Sequence, residues 1–585
     1  MNHLQRLFPF LSWFPINSES LRMDLVAGIT VALVLIPQSM AYAQLAGLPP
    51  YFGLYISFMP VLIGALWGSS KQLQTGPVAV VSLLTASALI PLVGDPDKMT
   101  PDQLIALYVP LAIMLALMVG IFQLALGVFR LGMIVNFLSH PVIIGFTNAA
   151  AIVIGLSQLS KIFGVKMERS DDFLIDIYDV LIQLGGTHIP TLLMGVGAFA
   201  LMWTMKRYVP KIPGVLVAVV VAIIISWLVG FEGMGGKVVG KIPQGLPTFK
   251  IPTFRIELVR ELITSAVVIS LVGYMEAISI AKAMAAKTKD RIDPNQELIG
   301  QGLANIIGSM SSSYPASGSF SRSAINLDAG AKTGISSVFT AMIVLITLLF
   351  LTPLLYHLPS AVLAAVIVMA VISLINFKAV KHSWDASRHD GVAGILTFVA
   401  TLGFAPHLEQ GILMGAGLAL ILFLYRTMHP RVATLGRFQD GTLRDVTVHE
   451  HLLTDERIIA IRFDGSLYFA NVSFFEDTIL EAVANKKEAK YILVVGDGIN
   501  QLDASGEEVM HHLTERLRET GVTMVFSGLK RQILKVMHKT GLFAEVGAEN
   551  IHATENMALE AIYSRLDDDD FDSSYCPLRP SPGQI

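Results

Sequence analysis

Long apolar runs, separated by short polar or Gly- and Pro-containing breaks, fill the chain from about residue 25 to about residue 430. A membrane-spanning helix needs roughly 20 apolar residues. Runs of that kind begin near Leu25, Tyr51, Gln103, Val142, Pro190, Pro213, Leu258, Gly334, Leu358, Val392 and Gly411. Three shorter or more polar stretches, Pro77 to Leu92, Gln296 to Met310 and Phe320 to Ala331, bring the expected elements to about fourteen. The pattern changes after Arg437, and from Asp455 onward it alternates strand with helix. Ile459, Ile461 and Phe463 point to one strand and Leu467 to Phe469 to a second. Phe474, Phe475, Ile479 and Val483 share a helical face. Tyr491 to Val495 reads as a buried strand, Val509, Leu513 and Leu517 as a helix, Val522 to Phe526 as another strand, and Lys530 to Lys539 as a basic helix.

The chain therefore divides into an N-terminal segment (1–22), a membrane domain (23–430), a linker with an α/β domain (431–565), and an acidic tail (566–585) expected to be disordered. Lys and Arg favour the cytoplasmic loops of a membrane protein. With the N-terminus inside, the inner loops carry Lys71, Arg130, Lys206, Arg207, Lys282, Lys287, Lys332 and Lys378, among others. Lys237, Lys241 and Lys250 fall on outer loops and count against the rule. An even number of crossings returns the C-terminus to the cytoplasm, where Arg426, Arg431 and Arg437 follow the last span.

Composition agrees with this division. The 585 residues are 53% hydrophobic and 15% charged, against about 25% charged in soluble domains. A net charge of −4 does not point to nucleic acid, and the single cysteine, Cys576, allows no intrachain disulfide. Met1 to Arg22 is broken by Pro9 and Pro15, so no cleavable leader is expected. The histidines show no metal-like spacing, and there is no phosphate-binding Gly-Lys-Ser/Thr loop. An enzyme, a metal or cofactor protein and an ATP-driven pump are all disfavoured.

Two segments carry the chemistry. Thr75-Gly76-Pro77-Val78-Ala79 and Ser317-Gly318-Ser319-Phe320-Ser321-Arg322 each place a hydroxyl residue and a glycine just before a short helical stretch. They are the third and tenth expected elements, seven apart. A half-helix that begins inside the bilayer leaves backbone N–H groups unpaired at a positive dipole end, where an anion binds. Two such ends facing one another are a recurring transporter site near the membrane midplane. Arg322 adds charge there. An intramembrane arginine costs at least ~2.5–3.5 kcal/mol on insertion scales, so it faces a cavity or a partner. Glu276 is a second intramembrane charge, suited to carrying a proton or to pairing within the bundle. Gln38 and Tyr42, one helical turn apart, offer hydrogen bonds either to a substrate or to another helix.

At these residues the sequence resembles the SulP family of sulfate permeases and related anion transporters. The carrying motifs are Pro37-Gln38-Ser39-Met40-Ala41-Tyr42-Ala43, Leu45-Ala46-Gly47-Leu48-Pro49-Pro50, Thr75-Gly76-Pro77, Gly273-Tyr274-Met275-Glu276 and Ser319-Phe320-Ser321-Arg322-Ser323. The resemblance implies an α-helical polytopic membrane protein of about fourteen spans in two inverted repeats of seven, split into core and gate domains, with a cytoplasmic α/β STAS domain. It implies a substrate site lined by Gln38, Tyr42, Val78, Ala79, Ser321 and Arg322, with Glu276 matching an acid linked to proton coupling. The expected function is secondary active anion transport, sulfate with protons. A sodium-coupled bicarbonate transporter, an anion exchanger and a passive anion channel of the same family are the alternatives. A homodimer in lipid, in a plasma or bacterial inner membrane, goes with it. Asp503-Ala504-Ser505-Gly506 resembles the loop in which STAS proteins carry a phosphorylated serine; Ser505 and Glu508 also have the spacing of a helix capping box.

Overall fold

The computed structural model describes residues 8–133, 139–167, 172–209, 212–252, 256–567 and 576–579. The chain forms two compact units, Met1–Ala419 and Leu420–Ile585. The division falls inside helix Leu408–Met428, earlier than the border expected after residue 430.

Eight helices among the described residues are long and apolar enough to cross a membrane, the last of them Leu408–Met428, and Phe52–Trp67, Ala79–Val93 and Gly214–Val229 are shorter apolar ones. The expected run at Val392 is helix Arg388–Gly403. Two further helices, Phe173–Ile182 and Phe377–Ala386, lie where no span is expected. The elements that position the site are helix α1 (Ser18–Leu45), strand β1 (Gln74–Gly76), helices α2 (Ala79–Val93), α3 (Val109–Val128), α4 (Ile256–Thr288) and α5 (Pro294–Met310), strand β2 (Ser317–Ser319), and helices α6 (Phe320–Asp328) and α7 (Ile335–Ile346).

Packing among them is reciprocal: α1 lies against α7, and α4 lies against α3. Between helices in lipid the driving force is close packing rather than exclusion of water, so small residues sit at the contacts. On α3 and α5, a Cβ at Gly120 would come within 2.7 Å of the Ile306 nitrogen, and one at Gly302 within 2.6 Å of the Leu124 nitrogen. Only hydrogen side chains allow these backbones to touch. The entry to α7 is tied to α1 by Asp24. This buried carboxylate accepts from the backbone N–H of Lys332 (2.6 Å) and Thr333 (3.1 Å) and from the Thr333 hydroxyl (2.6 Å).

The second unit is an α/β domain. Its sheet runs β4-β3-β5-β6-β7-β8, built from β3 (Val432–Arg437), β4 (Leu443–Asp445), β5 (Ile458–Phe463), β6 (Tyr491–Val495), β7 (Thr523–Ser527) and β8 (Ile551–His552). Strands β5, β6 and β7 are parallel and joined through helices α8 (Val472–Asn485) and α9 (Ala504–Glu519), and α10 (Arg531–Thr540) follows β7. Parallel strands are covered on both faces. Ile459, Ile461, Val494 and Phe526 face one cluster, while Ile458, Ala460, Leu493 and Val525 face another closed by Leu559, Ile562 and Tyr563 of α11 (Glu555–Asp567).

Three expectations change here. Leu467 to Phe469 is no strand; only Leu467 bridges, to Leu502. The stretch left as linker holds β3 and β4, and Arg437 is buried in β3, donating to the Leu578 carbonyl through Nε at 2.8 Å. Of the tail expected to be disordered, Cys576–Arg579 is packed: Leu578 is buried, and its N–H donates to the Tyr563 hydroxyl at 3.1 Å. An apolar residue and a backbone carbonyl that meets a buried arginine hold that piece down. Asp568–Asp570 and the rest of the acidic tail lie outside the described residues.

Candidate functional site

Helices α2 and α6 both start from the centre of the first unit. Each follows a short extended segment, and the two segments pair antiparallel, Thr75 opposite Gly318 and Gly76 opposite Ser317. The pairing brings the two helix starts together. Val78 and Ser319, the residues just before them, are extended and give no side-chain cap. The first-turn N–H groups of both helices therefore have no side-chain acceptor.

Arg322 sits at this junction. Its side chain is fully buried. Nη1 donates to Gln38 Oε1 at 3.1 Å, whereas Nε and Nη2 have no hydrogen-bond partner among the described residues. Gly76 has φ +151°, and a Cβ there would lie 3.3 Å from Arg322 Nη2, so the guanidinium reaches from the start of α6 to β1. Gln38 uses its amide nitrogen to donate to the Tyr42 hydroxyl at 3.1 Å. The one amide thus bridges Tyr42 and Arg322, which makes it an interhelical tie as well as a lining group. Glu276, Tyr42 and Tyr314 are the charged and phenolic groups in electrostatic range of Arg322. Glu276 is half-buried on α4, and its Oε2 is enclosed without a partner.

The remaining expected residues fall around this junction in different ways. Val78 and Ala79 are buried, so they can offer backbone only. Ser321 is exposed, beside Phe320, which is 57% exposed; its hydroxyl is 3.5 Å from that of Ser319. The charge is buried and the hydroxyl next to it open.

A chemistry of donors results. Two orphaned guanidinium nitrogens and two uncapped helix ends converge here, and buried unpaired donors are costly unless a ligand satisfies them. A compact oxyanion is a kind of ligand that has the acceptors such a donor set lacks.

Several residues that hold this arrangement were not singled out from the sequence. Glu297, Gln301 and Asn305 repeat every fourth residue on α5 and are all buried. Glu297 accepts from Ser69 N–H (2.9 Å), Ser69 Oγ (2.9 Å) and Ser70 N–H (3.2 Å). Gln301 donates to Thr75 Oγ1 at 2.9 Å. Asn305 Oδ1 accepts from the Ala316 N–H at 2.7 Å, while its Nδ2 donates to the Ala316 carbonyl and to Gln123 Oε1, each at 3.1 Å. This stripe clamps the two strands. Its signal was legible: a polar residue at every fourth position of an otherwise buried helix marks one hydrogen-bonding face. Tyr314 is also fully buried, with Ser82 Oγ donating to its hydroxyl at 3.4 Å.

In the second unit, Ser505 is half-buried in the first turn of α9. It is not the cap. Asp503 caps the helix, its Oδ1 accepting from the Gly506 N–H at 2.8 Å while Oδ2 accepts from the Phe469 N–H at 2.9 Å. The capping-box reading of Ser505 and Glu508 is two residues out of register.

Among known proteins, residues 21–397 match the model of the sulfate permease family and residues 451–558 that of the STAS domain. The probable sulfate transporter 4.2 of Arabidopsis thaliana is 36% identical over 568 residues, covering 93% of this chain and 82% of its own length. The solved structure of SLC26A9 superposes with a TM-score of 0.87 at 24% identity, over 97% of this chain and 95% of that one. The murine Slc26a9 anion transporter in the inward-facing state gives a TM-score of 0.86 at 25% identity, over 96% and 94%.

Proposed function

Because the chain belongs to the sulfate permease family and is a membrane anion transporter rather than an enzyme, we propose that it is a secondary active transporter that takes up sulfate together with a proton. The observation that carries this reading is the buried Arg322 with two unpartnered nitrogens, set between two uncapped helix starts. In this reading Gln38, Tyr42 and Ser321 supply neutral hydrogen bonds, Val78 and Ala79 supply backbone N–H groups, and Arg322 supplies the charge. A tetrahedral dianion has enough acceptors for all of them. Relatives named as sulfate transporters, among them sulfate transporter 4.1, chloroplastic, of Arabidopsis thaliana at 34% identity, support sulfate as the substrate.

Glu276 is the coupling group in this proposal. Its enclosed Oε2 lies in the same electrostatic neighbourhood as Arg322. A proton bound there removes a negative charge beside the incoming anion, so the two load together; release of one favours release of the other. We further infer a homodimer in lipid with both termini in the cytoplasm, as the Lys and Arg bias supports. Ser505 is read as a regulatory phosphorylation site, since a phosphate in the first turn of α9 meets the positive end of the helix dipole.

Uptake of labelled sulfate into proteoliposomes tests the coupling. An inward proton gradient should drive concentrative uptake by the wild type. Glu276→Gln should abolish accumulation yet keep sulfate exchange. Accumulation by the variant under the same gradient would make Glu276 structural, and a wild type that responds only to sodium would make proton coupling wrong.

A further inference from the structure

The first unit holds a cavity of about 740 Å³ at the C-terminal end of α1, away from the junction of the half-helices. Its wall carries Lys98, Lys161, Lys166 and Lys237 and, among the described residues, no aspartate or glutamate. Lys166 and Lys237 are exposed, while Lys98 and Lys161 have partners of their own. Gly47, Pro49 and Pro50 form part of the rim. His188, also in the wall, is taken up by bonds to Thr191 Oγ1 (2.7 Å) and the Met234 carbonyl (2.9 Å), which fix the loop before Lys237.

The cavity touches α1, the helix that also carries Gln38. Gln44 lines it, and its Oε1 is enclosed without a partner. Gln44 follows Gln38 by six residues on α1, about 9 Å along the helix axis. A second, narrow cavity of about 60 Å³ shares Gln44, Lys161 and Met167 with the first and runs along Leu83, Ala86 and Ile90 of α2. The two cavities thus share a wall beside α2, and the buried Asp176 also lines the narrow one.

We propose that this lysine-lined chamber is a second anion-binding site, an external vestibule that concentrates divalent oxyanions for the half-helix site. A concave surface of one charge sign focuses the field and raises the local concentration of counter-ions and their rate of entry. The attraction scales with ligand charge, so a dianion gains about twice what a monoanion does at the same distance. It also assigns a purpose to Lys237, a lysine on an expected outer loop where charge bias alone predicts few. Lys166 and Lys237 are exposed in its wall, unlike the enclosed guanidinium of Arg322.

The proposal rests on the reading of the protein as an anion transporter, and the experiment separates the two. Sulfate uptake by cells expressing the full chain is measured against external sulfate at several ionic strengths, for the wild type, for Lys166→Gln with Lys237→Gln, and for Lys166→Arg with Lys237→Arg. The Gln pair should raise KM for external sulfate about threefold to tenfold and flatten the salt dependence of kcat/KM. Its kcat and its KM for efflux should stay near wild type, and the Arg pair should restore the external KM. An unchanged external KM and salt slope in the Gln pair would overturn the vestibule while leaving transport intact. Equal increases in KM on both sides would overturn it too, by tracing the effect to the central site. If the wild type moves no sulfate, the transport reading itself fails.

Discussion

At the scale of single residues, a buried arginine organises the first unit. Its hydrogen-bond partner among the described residues, Gln38, accepts from Nη1, while Nε and Nη2 have none there. Arg322→Ala should abolish measurable sulfate binding by calorimetry in detergent while the protein still elutes as a folded species. Gln38→Ala should weaken binding by about tenfold, since one net hydrogen bond is worth ~0.5–1.5 kcal/mol and the guanidinium survives. Gly76→Ala is a sharper probe. It forces a side chain onto φ +151° and sets a methyl 3.3 Å from Arg322 Nη2, so binding should fall with little change in expression. In the second unit, Asp445 is held down to about 2 by hydrogen bonds from the Thr447 side chain and backbone, helped by Arg431 and opposed by burial. Its folded value is below the unfolded one, near 3.9. The stability it contributes is therefore complete above about pH 4 and is lost as pH falls toward 2. Urea unfolding of the fragment 431–585 at pH 5 and pH 3 should show a smaller acid loss in Asp445→Asn than in the wild type.

At the scale of elements, the junction depends on two three-residue strands that would not hold by themselves. The polar face of α5 clamps them through Gln301 to Thr75 and Asn305 to Ala316. Asn305→Leu leaves the Ala316 N–H and carbonyl without this partner, each buried orphan costing ~1–3 kcal/mol. Thermal unfolding in detergent should shift down by several degrees, and sulfate binding should weaken although Asn305 is not expected to touch the ion. Gly302→Ala acts on the packing of α3 against α5. Its Cβ meets the Leu124 nitrogen at 2.6 Å and the Gly120 carbonyl oxygen at 2.9 Å, backbone atoms that cannot step aside. Overpacking of this kind costs ~1–3 kcal/mol, and the same thermal assay should register it. Binding at the junction should then recover at temperatures well below the shifted midpoint.

At the scale of the whole molecule, the C-terminal unit has its own core on both faces of a mixed sheet. Expressed alone from Arg431, it should be soluble and unfold in one cooperative transition; a dispersed, non-cooperative profile in circular dichroism would contradict this. The bilayer, the family and the two-part organisation were legible in the chain because they are properties of composition and local order. Runs of apolar residues, the glycine-broken segments before Val78 and Phe320, and the strand and helix periods after Asp455 depend on neighbours in sequence. The pairing of Gln74–Gly76 with Ser317–Ser319 does not. It joins residues more than two hundred positions apart, and only the folded chain puts Gln38, Gly76 and Arg322 in one place. The lysine chamber has the same origin, gathering residues from six separate stretches between Gln44 and Ala361. Asp503 as the cap of α9 and the docking of Leu578 on Tyr563 were decided there as well, because a capping box or a disordered tail read from spacing ignores which carboxylate or carbonyl the fold brings within reach. The sequence by itself determined that apolar helices build the first unit and that an α/β domain follows, because both are properties of local composition and period; tertiary structure decided which buried donors at the junction remain unpaired, because that depends on which distant groups the fold brings within reach.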